Sequence, residues 1–109
     1  SFVISEIVKQ YHNKGEKLDI SYFRNKETEE IDLIMFKNNT YYPLEIKKTA
    51  NPKKEMLKNF KYLDKLDKKV GKGGLICLYD RLLPLDDNNM IIPLYYNIFK
   101  VFVKHVSVI

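Results

Sequence analysis

Two hydrophobic runs separated by a short polar break, in the stretch Glu30 to Ala50 (EIDLIMFKNNTYYPLEIKKTA), set the strongest limit on what this chain can become. Apolar residues fill most of positions 31–36 and 41–46, and Lys37-Asn38-Asn39-Thr40 between them has the chemistry of a tight turn, so the stretch is predicted to form an antiparallel hairpin. Successive side chains on a strand point to opposite faces. That alternation groups Asp32 with Ile34 and Phe36, sets Ile31 with Leu33 and Met35, and puts Glu45 with Lys47. Both faces of the first strand are then mostly apolar, as in a central strand. Charge there is costly unless paired or bound to a metal. Two carboxylates, Asp32 and Glu45, suit a hard divalent cation such as magnesium or manganese, with water and phosphate oxygens completing the shell and Lys47 facing the phosphate.

Asp32, a gap of twelve residues and then Glu45-Ile46-Lys47 resemble the acid and E-x-K core of the PD-(D/E)XK, or restriction-endonuclease-like, nucleases. The longer segments EIDLIMFKNNTYYPLEIKKTANP and GGLICLYDRLLPLDDNNMIIPL, with the opening SFVISEIVKQYHN, resemble the uncharacterised C-terminal domain that follows the ATPase module in a large family of prokaryotic AAA-type P-loop ATPases. This resemblance covers the chain to about Tyr96; the tail 98–109 lies outside it. It implies a restriction-endonuclease-like fold, an attached N-terminal ATPase module and a magnesium- or manganese-dependent endonuclease site. In that site Asp32, Glu45 and Lys47 are catalytic, and Asp32, Glu45 and the Ile46 carbonyl hold the metal. Many such enzymes add an acid from their first helix, which makes Glu6 a further candidate ligand. The alternative is a catalytically inactive module that binds nucleic acid or a protein partner and regulates the ATPase, with the charged trio as an internal ion-pair network.

A length of 109 residues permits one domain with a modest core. It is too short for an ATPase module as well, and the initial Ser suggests the C-terminal piece of a longer protein. Gly71-Lys72-Gly73-Gly74 lacks the spacing of a Walker loop and reads as a turn into a strand. Cys77, the single cysteine, lies in an apolar run and is expected in the core, which fits a reducing cytoplasm. No apolar run approaches the ~20 residues of a membrane span, so no membrane partner is expected.

The remaining elements follow from periodicity. Residues 1–13 show a helical stripe, Val3, Ile4, Ile7, Val8 and Tyr11, and 18–24 alternates as a strand. Asn51-Pro52 reads as a helix start, followed by a buried stripe of Met56, Leu57, Phe60 and Leu63. Lys54, Lys58, Lys61 and Lys65 line the opposite side of such a helix, and Tyr62 is either a base-stacking ring or a margin of the core. Residues 74–79 read as a buried strand, parallel to an earlier one. Residues 82–85 and 90–96 form a hairpin that Pro84 and Pro93 push toward an edge. The tail fits a helix slightly better than a strand. The expected fold is mixed α/β: helix, three-stranded antiparallel meander, helix, strand and a C-terminal edge hairpin.

The net charge is +5, and ten of the nineteen Lys and Arg residues fall between Lys47 and Lys72 against only three acids. A basic field beside paired acids would steer DNA to the site, with Lys48, Lys54, Lys58, Lys61 and Lys65 as phosphate contacts. A plain solvated lysine face is the competing reading.

Overall fold

The computed structural model describes residues 19–94. The expected helix over 1–13, with Glu6, and the tail 98–109 lie outside them. Within them the chain runs β1 (Asp19–Arg24), β2 (Glu30–Lys37), β3 (Thr40–Ile46), a 3-10 helix (Lys54–Lys65), β4 (Lys69–Val70), β5 (Gly73–Cys77), β6 (Leu83–Pro84) and β7 (Asn89–Pro93). The strands form one mixed sheet in the order β1-β2-β3-β5-β7-β6, with β4 also pairing with β3. Strands β1, β2 and β3 make the expected antiparallel meander. The chain then crosses through the helix so that β5 lies parallel to β3, as expected for the buried run. Among the described residues no helix is long and apolar enough to cross a membrane.

The β2–β3 turn is a two-residue loop, because Lys37 still pairs with Thr40. Asn38 and Asn39 both take left-handed dihedrals, with φ of 53° and 60°. Two successive positive values match the right-handed twist of the flanking strands, and asparagine tolerates that conformation better than other residues bearing a Cβ.

Strand β2 departs from simple alternation. Ser21 pairs with Ile34 and Phe23 with Ile31, so two steps along β1 correspond to three along β2. Asp32 and Leu33 together therefore oppose the single residue Tyr22, which is a β-bulge. The extra residue inverts the pleat beyond it. Ile31 consequently packs with Ile34 and Leu63, instead of joining Leu33 and Met35 as strict alternation predicts.

The helix differs from the sequence expectation in start and in type. It begins at Lys54 after Lys53, with no side-chain cap. The Asn51 amide instead donates to Thr49 Oγ1 at 3.0 Å. A 3-10 helix turns once per three residues, which aligns Leu57, Phe60 and Leu63 in one row. Leu57 packs with Leu75, Cys77 and Ile91. Leu63 packs with Ile31 and Ile34, and Phe60 touches both clusters, so the helix spans the sheet from β5 and β7 to β2. Cys77 is buried in the core, as expected.

The C-terminal hairpin sits differently from the expectation of two edge strands. Only β6 is terminal, while β7 lies between β5 and β6. Pro93 is tolerated in that inner strand for a positional reason. The following Leu94 amide donates to the Cys77 carbonyl at 2.9 Å. Neighbouring residues of a strand bond to opposite sides, so the Pro93 nitrogen faces the β6 side, beyond the last β6–β7 pair at Leu83 and Ile91. Pro43 similarly falls where the partner of β3 changes from β4 to β5. Gly73 is needed for closeness more than for turning: a Cβ there would lie 2.5 Å from the Pro43 carbonyl oxygen.

Candidate active site

The β2–β3 ladder ends at Leu33 and Leu44, one residue short of Asp32 and Glu45. The bulge against β1 falls at the same place, and the end of the ladder leaves backbone donors without strand partners. The two acids fill the gap reciprocally. The Asp32 amide donates to Glu45 Oε1 at 2.9 Å, and the Ile46 amide donates to Asp32 Oδ2 at 2.9 Å. Each carboxylate thus spends one oxygen on the other strand's backbone, and the second oxygen of each lies outside this clasp.

The surroundings of the acids are unequal. Glu45 is only 4% exposed, pairs in register with Leu75, and through it shares a rung with Ile91. Asp32 is half-buried. Burial first, with the charges of Asp32 and Glu30 adding to it and the Asp32 amide and Lys47 opposing it, raises the Glu45 carboxyl from its ordinary value of 4.5 to about 7. Lys47 Nζ stands 3.9 Å from Glu45 Oε2, and its side chain is 46% exposed, so the ion pair is long and wet.

The Ile46 backbone faces the same gap. Its N–H points at Asp32, whereas the Lys47 amide donates to the Ile76 carbonyl on the other side at 2.9 Å. The N–H and C=O of an extended residue project to one edge of its strand, so the Ile46 carbonyl is directed toward the split. The outer oxygen of each carboxylate and this carbonyl are hard oxygen donors of the kind magnesium accepts alongside water or phosphate. Among the described residues no group of three His, Cys, Asp or Glu side chains is placed to hold a metal. The set therefore rests on a pair of acids plus backbone, which suits magnesium's habit of binding through one or two carboxylates.

The lysines behave less uniformly than helical spacing suggested. On a 3-10 helix Lys58 and Lys61 share a line, Lys54 precedes the buried row, and Lys65 falls on the line of Tyr62. All four are exposed, as is Lys48. Lys61 Nζ and Lys65 Nζ stand 5.4 and 5.8 Å from the Tyr62 ring centroid. Tyr62 itself stacks on Phe23, with centroids 5.8 Å apart and planes 8° from parallel. Its hydroxyl bonds to Glu29, which lowers the Glu29 carboxyl and raises the Tyr62 phenol. Tyr62 is thus a margin of the core, and base stacking on it would require breaking these contacts.

Two features escaped the sequence reading. The bulge is set by pairing across β1 and has no local signature. Glu30, which Arg24 holds through an Nε to Oε1 contact of 3.3 Å, adds negative potential at Glu45; its spacing of two from Asp32 was the available clue.

Fold and site together define a mixed-sheet domain with an acid pair clasped across a strand split. A family model described as a domain of unknown function (DUF4143) matches residues 1–96, and the chain belongs to that family. The comparisons with curated proteins and with solved structures give no match.

Proposed function

We propose that Asp32, Glu45 and Lys47 form a magnesium- or manganese-dependent site that hydrolyses phosphodiester bonds in DNA, within a restriction-endonuclease-like domain attached to an AAA-type ATPase module. The observation that carries this reading is the clasp: two carboxylates held opposite each other at a strand split, one of them nearly sealed from water and only weakly neutralised by Lys47. A buried carboxyl displaced toward neutrality is a common mark of a functional site. The order of meander, helical crossover and parallel strand is also the one that the resemblance implies.

Asp32, Glu45 and the Ile46 carbonyl would hold the cation. When bound, it supplies positive charge that stabilises the attacking water and the developing charge on phosphate. The chain's own groups do the rest. The Asp32 and Ile46 amides fix the two carboxylates so that their free oxygens need no rearrangement. The exposed Lys47 ammonium hydrogen-bonds the attacking water or a phosphate oxygen, and Lys48, Lys58 and Lys61 add a basic field for the polyanion.

One observation favours the second reading, a non-catalytic module that regulates the ATPase: each acid already satisfies a backbone amide, which is a structural task in its own right. A plasmid-nicking assay separates the two. The endonuclease reading expects nicking with manganese or magnesium, none with EDTA, none in Asp32→Asn or Glu45→Gln, and a loss of about 100-fold or more in Lys47→Ala. Nicking that is absent from the parent protein, or that survives both acid substitutions, contradicts it.

A further inference from the structure

The helix brings one more oxygen to the split. Asn59 Oδ1 is the one buried side-chain polar atom among the described residues with no hydrogen-bond partner. An acceptor buried without a donor is costly, and a water or an ion is a common reason for one in a folded chain. The other end of the carboxamide is fixed, because Nδ2 donates to the Glu30 carbonyl at 2.9 Å. Turning the group over would set two oxygens against each other, so Oδ1 is the end that has no partner.

Strand geometry brings this carboxamide to the acid pair. Residues two apart on a strand direct their backbone groups to the same edge. The Asp32 amide points toward β3, at Glu45, and so does the Glu30 carbonyl. Glu29 turns its carbonyl the other way, to the Asn25 amide just after β1. Asn59 and Glu45 therefore serve successive groups along one edge of β2. They also approach it from the same face of the sheet. Glu45 pairs in register with Leu75, which packs on Leu57 of the helix. At three residues per turn, Met56, Asn59 and Tyr62 form one row of that helix. Met56 packs against the Leu75 cluster and Tyr62 stacks on Phe23 of β1, so Asn59 between them stands over β2 and β3.

The donors nearby are already engaged, since the two carboxylates take the Asp32 and Ile46 amides. The other groups directed into the split are oxygens. An acceptor among acceptors needs a donor brought in by a ligand, and the water that magnesium retains in its shell is such a donor.

We infer that Asn59 is a positioning residue of the cation site: its Oδ1 accepts a hydrogen bond from a water that completes the shell of a magnesium or manganese ion held by Asp32 and Glu45. The inference deepens the proposed hydrolytic reading and rests on it.

Isothermal titration of the whole chain with manganese tests it, once denaturation curves in EDTA have shown each variant to be folded. Asn59→Ala should weaken manganese binding by about 10- to 100-fold. Asn59→Asp, which keeps an oxygen but has no donor for the Glu30 carbonyl, should bind manganese at least as tightly as wild type. If the Nδ2 bond alone matters, both variants lose stability in EDTA and neither changes its manganese affinity. Unchanged affinity in Asn59→Ala, or an equal loss in Asn59→Asp, overturns the inference. Should Asn59→Ala not fold, Asn59→Asp decides alone, with a loss of about tenfold or more as the contrary result. The two proposals fail in different ways. Binding that needs Asp32 and Glu45 but ignores Asn59→Ala removes the role of Asn59 and keeps the cation site. A wild type that binds no manganese removes both.

Discussion

Glu45 carries a carboxyl where its rung, continuing through Leu75 and Ile91, offers little to solvate a charge. Its folded value near 7 against an ordinary 4.5 means that the folded chain holds a proton that the unfolded chain has released. Stability then falls as pH rises through that window, by up to about 3 kcal/mol. Glu45→Gln keeps an oxygen for the Asp32 amide and removes the charge. Urea denaturation from pH 4.5 to 8 should therefore show a declining wild type and a flatter variant, with the variant more stable by about 1 to 3 kcal/mol at pH 8. A variant clearly less stable than wild type at pH 8 would instead make Glu45 a needed partner of Lys47.

At the scale of elements, the β2–β3 hairpin owes its register to two asparagines in left-handed conformation. Asn39→Gly should stabilise the fold by about 0.5 kcal/mol, and Asn39→Val should cost about 1 to 2 kcal/mol, read as midpoint shifts in chemical denaturation. A neutral Asn39→Val would show that the turn does not hold the register. This hairpin was legible because its signals are local: a polar break between apolar runs. The parallel β5 was legible too, since the crossover needs a helix-length segment. What could not be read depends on distant pairing. The bulge at Asp32 and Leu33 exists only relative to β1, and it turns Ile31 to the other face. The tight winding of Lys54–Lys65 is compatible with the same Leu57, Phe60 and Leu63 stripe that predicted an ordinary helix, because a spacing of three serves both. Pro93 reads as an edge signal until its nitrogen is known to face the unpaired side.

Across the molecule, the β2–β3 hairpin brings the acids together from positions 32 and 45 with Lys47 beside Glu45, and the crossover lays β5 along β3, which seals Glu45. The sequence named the trio through its spacing, but it did not foresee that the acids would clasp each other's backbone. That clasp makes the choice between a cation site and a structural pair a question about binding free energy. A ligand that binds only the folded state stabilises it by about 2.7 kcal/mol at a hundredfold excess over its dissociation constant. The decisive measurement is the chemical-denaturation midpoint of wild type, Asp32→Asn and Glu45→Gln at pH 8, with EDTA and with saturating manganese. The account predicts that manganese raises the wild-type midpoint and moves neither variant. A wild type indifferent to manganese, or a shift that persists after either acid is neutralised, would contradict it.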